Sequence, residues 1–370
     1  MSKNKRKNNR KPMNPRTKES LALGFRSILS NDACVELGRT RPWYGALIAG
    51  ILSSIVVVIP TLVNGLKVKG SDIFNTPTYG LENGLVHFQR DVRDSGLDLK
   101  FDIIDHMLQV NQNTWNEFVT SEKGGGSTEE PWYHHYNSVT GFLDFQVYYT
   151  PTTGSALTSF AEAVYNGANP TGVGSVTFIS EDAPTTLGKP SKTSALILGL
   201  DGFRIFKFNA ASTLTFGGVA VEWRYDADDL PINNLVSSAP AADTTDSDVI
   251  EQYKVDTIKS WSPFFDKAYE VQRNVNAWRS TGIMWAIYSA FISFMGLLIW
   301  LMTRGKTNPF RIIQFWEAQK IAYWASPTPA ILAMAFGFFM STSGIMQFLF
   351  IFLAGMRIMW MSMRSLRPVE

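Results

Sequence analysis

Residues 43–66 read WYGALIAGILSSIVVVIPTLVNGL, and from Ala46 to Val63 no side chain carries a charge. As a helix rising 1.5 Å per residue this run reaches about 36 Å, enough to cross the roughly 30 Å hydrocarbon layer of a bilayer. Pro60 falls near its far end, where a membrane helix tolerates it. The rival reading is a secretory signal peptide. The 1–42 leader is long and basic for one, and no small-x-small cleavage site follows closely, so the run reads as a retained anchor, the first transmembrane helix.

Two further apolar stretches lie near the other end. Gly282–Thr303 is uncharged until Arg304 and Lys306, and a last stretch runs over 327–363, interrupted only by Arg357. The uncharged part of that last stretch is about 45 Å as one helix, too long for one upright span. Ser341-Thr342-Ser343-Gly344 at its middle reads as a turn. The expectation is a hairpin of two short helices, about 328–341 and 345–362. A single long tilted helix and a re-entrant pair are the alternatives.

Charge is partitioned along the chain. Residues 1–42 hold eleven Lys/Arg against three acidic residues, residues 67–281 hold sixteen against twenty-seven, and residues 282–370 hold seven against two. The net charges are therefore +8, −11 and +5, which suggests compartments more than a nucleic-acid surface. Basic residues beside membrane spans prefer the cytoplasmic side. That rule puts the 1–42 leader inside, 67–281 outside and the 304–326 loop inside. With four spans, the 364–370 tail also ends inside, with Arg364 and Arg367. The expected architecture is an α+β extracytoplasmic domain on a four-helix membrane anchor, one N-terminal span and three C-terminal spans, in a bacterial plasma membrane. The leader would contact anionic lipids, and no nucleic-acid partner is expected.

In the inner loop, Asn308 caps and Pro309 suits a first helical position. Ile312, Phe315, Trp316, Gln319 and Tyr323 then recur at spacings of three and four. This is an amphipathic helix, with Phe315, Trp316 and Tyr323 at the inner membrane face. The competing reading is a helix packed over the bundle.

The acidic middle reads as mixed. A helix is expected over 82–94 and another over 101–118, the latter burying Ile103, Ile104, Met107, Leu108, Trp115 and Phe118. Gly124-Gly125-Gly126-Ser127 reads as a flexible loop; it lacks the Gly-Lys-Ser/Thr ending of a phosphate loop. Strands are expected at 142–149, 175–179, 194–200, 203–208, 212–216 and 219–225. Asp201-Gly202 and Gly217-Gly218 are the hairpin signals of an antiparallel meander. Residues 226–249 read as a linker, and a helical stalk over 249–278 has a break at Pro263.

Catalytic chemistry finds little footing. The single cysteine, Cys34, excludes an internal disulfide or a cysteine-based metal site. His87, His106, His134 and His135 show no metal-ligand spacing, and adjacent His134 and His135 on an extended chain point oppositely. Asp226, Asp228 and Asp229 lack the glycine and distal glutamate of a calcium loop, and no serine sits in an elbow motif. No cofactor, metal or enzyme activity is therefore expected. Trp132, Tyr133, Tyr136 and Tyr148 are the candidate ligand or partner surface, because aromatic rings offer large rigid contacts.

The layout resembles the bacterial domain-of-unknown-function family 1189, the maltodextrose-utilisation protein MalA-like membrane proteins. The likeness rests on Phe25-Arg26-Ser27, Arg39-Thr40-Arg41-Pro42 before the first span, Ile197-Leu198-Gly199-Leu200-Asp201-Gly202 in the outer domain, and Phe315–Tyr323 leading into Ser326-Pro327-Thr328-Pro329. It implies an association with sugar-import operons and supplies no catalytic residue. The function expected is an accessory or scaffold membrane protein. Its outer domain would bind an extracytoplasmic protein or envelope component, and its spans a membrane protein complex of transport or secretion. The alternatives are a sugar or peptide receptor and, further off, a lipid or cell-wall enzyme.

Overall fold

The computed structural model describes residues 22–75, 81–128, 130–136, 143–165, 194–208, 214–217, 223–227, 229–234, 247–304, 309–339, 343–364 and 366. The leader up to residue 21, the strand expected at 175–179, Asp228, most of the 226–249 linker, Lys306, Asn308, the Ser341-Thr342 turn and Arg367 lie outside the described residues. The chain divides into two units, Val68–Asn274 and Met1–Lys67 with Val275–Glu370.

In chain order the elements are α1 (Asn31–Thr40), α2 (Trp43–Lys67), α3 (Leu81–Asp94), β1 (Asp102–Ile104), β2 (Met107–Gln109), α4 (Gln112–Val119), β3 (Tyr133–Tyr136), β4 (Leu143–Tyr149), α5 (Gly154–Tyr165), β5 (Ser194–Leu198), β6 (Gly202–Phe208), β7 (Leu214–Gly217), β8 (Trp223–Arg224), α6 (Ser247–Met302), α7 (Phe315–Ala325), α8 (Pro327–Gly337) and α9 (Ser343–Arg364).

The middle unit is a mixed α/β domain. Its main sheet runs β3-β4-β5-β6-β7, with β8 also on β6. Side chains alternate across a strand, and β5 shows both faces in use. Leu196 and Leu198 join a core with Phe88, Trp115, Phe145, Phe203 and Trp261. Ala195 and Ile197 join a second core with Tyr148 and with Leu157, Ala161 and Val164 of α5. The sheet is thus covered by helices on both faces, which explains why β5 is wholly buried and apolar from Ala195 to Leu198.

Four expectations are corrected here. The 101–118 helix is instead the β1–β2 hairpin followed by the short α4. Asp105 and His106 take φ of 52° and 63°, the left-handed region that Asp and His adopt more readily than most residues, and this reverses the chain. Asn111 then starts α4, its Oδ1 accepting the N–H groups of Asn113 and Thr114 at 3.0 and 3.3 Å. The sheet is not purely antiparallel: β4 and β5 are parallel, joined by a crossover containing α5, as parallel pairing requires. The hairpin expected about Gly217-Gly218 is not formed between β7 and β8, Gly218 itself lying outside the described residues. β7 pairs with Phe206–Phe208 and β8 with Gly202–Phe203 of the same β6, so β7 and β8 follow one another along one edge. Finally, α6 continues through Pro263. Proline removes one helical hydrogen bond, but Trp261, Phe264, Phe265 and Ala268 around it are buried in the main core. Fully burying one large apolar side chain contributes about 1.5–3 kcal/mol, so the packed turn outweighs the missing bond.

The other unit is helical. Two helices, Trp43–Lys67 and Gln252–Met302, are long and apolar enough to cross a membrane. α8 has 11 residues and α9 has 22, about 16 and 33 Å at the α-helical rise. The last apolar stretch is therefore an unequal helix pair, its first arm shorter than expected and its second longer. α2 and α9 each pack on α8, and α1 packs on α7. Ser30 caps α1, its Oγ accepting the Ala33 N–H at 3.4 Å.

Candidate functional site

In the α/β unit, β3 occupies a sheet edge beside α3. His134 and His135 turn to opposite faces, as expected of an extended chain. On one face the His135 ring stacks on His87 of α3, centroids 3.9 Å apart and 16° from parallel. Burial pushes the His135 ring down to about 3 and the His87 ring to about 4, with Arg90 adding to both. Both imidazoles are neutral at pH 7. Next to them the Tyr133 hydroxyl donates to Asp91 at 2.8 Å, and Arg90 lies 3.3 Å from the same carboxylate. Burial raises the Asp91 carboxyl above its usual range despite these partners. On the opposite face Trp132 stacks on Tyr148 at 5.2 Å, and His134 sits against Trp132 and Tyr136.

Of the four aromatic residues singled out from sequence, Tyr133 lies in the main core, and Trp132 and Tyr148 lie in the second core on the other face. Tyr136, at 50% exposure, is the one with ring surface in solvent. Gly124–Gly126 does not form a loose loop. Gly125 has φ +66°, and a Cβ on Gly124 or Gly126 would stand 2.2 or 2.5 Å from backbone oxygens of Phe118 or Trp132. The Gly124 carbonyl accepts the His134 N–H at 3.0 Å, so this turn covers the free edge of β3. Among the described residues no three His, Cys, Asp or Glu side chains converge as a metal site.

In the helical unit the organising side chain is Arg357 of α9. Its Nε donates to Asn31 Oδ1 at 3.1 Å, one terminal nitrogen to Ala325 O at 2.7 Å and to Thr328 Oγ1, and the other to Ser27 O and to Cys34 Sγ at 3.4 Å. The five donors of the guanidinium thus tie α9 to α1, to the segment before α1, and to the α7–α8 junction. Among the described residues no carboxylate pairs with it. Thr328 passes the tie on by donating to Ile28 O. Cys34 is fully buried, and its thiol approaches the carbonyls of Ser27, Ser30 and Trp324 at 3.3–3.4 Å. Burial pushes that thiol up to about 11.

α7 is held from three sides by close approach. A Cβ on Gly38 would stand 2.3 Å from Ile321, on Gly50 2.8 Å from Tyr323, and on Gly296 2.5 Å from Gln319. Gln319 donates to Ser293 O at 2.9 Å, and the Tyr323 and Ser293 hydroxyls lie 3.2 Å apart. Phe315 packs on Trp300, and Trp316 is 73% exposed. So Tyr323 and Phe315 face the bundle, and Trp316 with Ile312 faces outward. The capping pair is Gln314 and Glu317, the Gln314 N–H donating to Glu317 at 2.9 Å.

No family model, no curated protein and no solved structure matches this chain. The reading of its function therefore rests on the two arrangements just described. Sequence reasoning missed the Arg357 hub and its acceptors Ser27, Asn31, Ala325 and Thr328. The available signal was that Arg357 is the lone charge within the last apolar stretch.

Proposed function

We propose that this chain is a multi-pass accessory protein of a bacterial plasma membrane. Its α/β domain engages an extracytoplasmic protein or envelope component, and its helical unit associates with a membrane complex of transport or secretion. The observation that carries this reading is the insertion of a folded α/β domain between two helices long and apolar enough to cross a membrane. The charge partition supports an orientation with 67–281 outside and both termini inside. The α8–α9 pair supports it too: Arg357 of α9 bonds Ala325 and Thr328 at the start of α8, so the chain returns to the level at which α8 began. On this reading the pair dips into the membrane and returns, since α8 at about 16 Å is too short to cross it alone, and the tail shares the leader's side. The resemblance to family 1189 points the same way, toward the company of sugar importers.

For the partner surface, the β1–β2 tip offers Ile104 and Met107, paired across the hairpin and both exposed, and the β3 edge offers Tyr136. The test is in-cell photo-crosslinking from positions 107 and 136, with membrane-impermeant labelling of cysteines placed at residues 5 and 128. The expected result is a reproducible crosslinked partner and labelling at 128 but not at 5. A partner-free species from both crosslinking positions refutes the accessory role, and labelling at 5 but not at 128 refutes the orientation.

A further inference from the structure

Between α7 and α8 the chain does not leave the helical path. Ser326 joins them with φ −70° and ψ −28°. Its N–H donates to Ala322 O at 3.0 Å, and its carbonyl accepts the Ala330 N–H at 3.1 Å. Residues 315–337 therefore follow one helical course with a joint at Ser326. Pro327 and Pro329 stand just past the joint, and proline has no N–H to give. In an unbroken helix each N–H meets the carbonyl four residues earlier, so Pro327 leaves Tyr323 O unserved and Pro329 leaves Ala325 O unserved.

Side chains meet both vacancies. The Ser326 hydroxyl donates to Tyr323 O at 2.8 Å. Ala325 O takes a terminal nitrogen of Arg357, from α9, at 2.7 Å. The Trp324 carbonyl between them takes the Cys34 thiol of α1 at 3.4 Å. Two of the three carbonyls that would carry backbone bonds across the joint thus depend on other segments. Proline is a common cause of helix bending, and here the bend is held from outside the helix. The same guanidinium donates to Asn31 of α1 and to Ser27 O, so a shift of α1 or α9 bears directly on the joint.

We infer that residues 326–329 form a hinge within one helix and that Arg357 latches it, so that α9 and α1 together set the angle of α8. Arg357 is here a positioning residue, standing in for the donor that Pro329 lacks. Phe336 lies ten residues beyond Ser326, about 15 Å along the helix. A swing of about 20°, the threshold of a sharp kink, moves it about 5 Å.

The test is pulsed electron resonance on the full chain in nanodiscs. Spin labels are carried by ketone amino acids at the exposed positions 283 on α6 and 336 on α8, which leaves Cys34 in place. The wild type should give one narrow distance, and Arg357→Leu should add a second about 5 Å away. Arg357→Leu/Pro329→Ala should return to the single distance, because the new amide at 329 can donate to Ala325 O. Arg357→Leu/Pro327→Ala should not, since Tyr323 O already has the Ser326 hydroxyl. A folded Arg357→Leu protein with the wild-type distribution overturns the inference, and so does equal rescue by the two alanines. If Arg357→Leu alone does not accumulate, the two double variants are compared by Tm. The Pro329→Ala double should melt higher, and equal melting overturns the latch.

Discussion

Replacing Arg357 by leucine removes a cation with donors to five acceptors on four separate segments and keeps the apolar character of α9. The orphaned groups are the Ser27 and Ala325 carbonyls, the Asn31 amide oxygen, the Thr328 hydroxyl and the Cys34 sulfur. A hydrogen bond to a charged group contributes about 1.5–3 kcal/mol, but such bonds at one residue are not additive. A buried acceptor left unmet costs about 1–3 kcal/mol, so with several left together Arg357→Leu should cost about 3–5 kcal/mol in all. Arg357→Lys keeps the charge but offers three donors in place of a planar fork, and about half the loss is expected. For a unit of this size each kcal/mol shifts Tm by roughly 2–4 °C, giving a drop on the order of 10 °C for leucine in detergent. Cys34 supplies an independent readout, because it is the only thiol and touches the same hub. With its pKa moved from an ordinary 9.0 to about 11, its thiolate is roughly a hundredfold scarcer at neutral pH. Wild-type protein should react slowly with maleimide, and both variants should react much faster. A leucine variant that melts with the wild type, its Cys34 still unreactive, refutes the argument that Arg357 holds these segments together.

Three further outcomes are expected. In the α/β unit, buried Lys207 lies 2.9 Å from Glu82 and also donates to the Ile73 carbonyl; burial lowers the lysine pKa. Glu82→Ala strands that ammonium without this carboxylate and should cost about 3–5 kcal/mol in denaturant unfolding, with Glu82→Ala/Lys207→Met recovering a large part. A Cβ on Gly84 would stand 2.2 Å from the Phe145 ring, so Gly84→Ala should lower stability by about 1–3 kcal/mol, read as a lower Tm. Acid should loosen the β3 edge. His87, His134 and His135 titrate at about 4, 4 and 3 when folded, against about 6.5 unfolded. Their contribution is intact above pH 6.5 and falls as pH drops toward 4, by up to about 1.4 kcal/mol per pH unit for each proton taken up. Asp91, raised in the fold, works in the opposite direction. His135→Phe should flatten the slope of Tm against pH over that window, and an unchanged slope counts against the buried neutral pair.

How far the sequence carried depended on where the deciding force was local. The first apolar run was legible because the cost of charge in lipid is written residue by residue, and α3 emerged one residue from its expected start. β4, β5 and β6 also fell within two residues of their expected bounds, since β-rich runs were flanked by turn residues. The β1–β2 hairpin was hidden because Ile103, Ile104, Met107 and Leu108 satisfy helical spacing as well as strand pairing. The choice is made by the backbone at Asp105 and His106, which composition does not reveal. Pro263 was misread since its helix is held by a core assembled from residues far along the chain. The aromatic group was legible as aromatic, but not as core. Covering helices α3 and α5 lie on opposite sides of β3 and β4, so Trp132, Tyr133 and Tyr148 are all enclosed. The hub is built by segments up to some three hundred residues apart, such as Ser27 and Arg357, and no local pattern encodes such meetings.

The start and finish of the α/β unit clasp one another. The Ser71 N–H donates to Asp266 at 2.8 Å, and Gly70 is pressed so closely on the Phe265 carbonyl that no Cβ fits between them. Trp261, Phe264 and Phe265, which complete the main core, are therefore made almost two hundred residues after the segment they close upon. A ribosome making this chain delivers every described strand of the sheet before the piece that seals it. Nascent chains arrested near residue 250 should stay open to protease, and those arrested beyond 275, with enough tether to clear the ribosome exit tunnel, should snap shut. The domain would then depend on holding factors for most of its own synthesis, and its maturation would be timed by arrival of the second apolar helix.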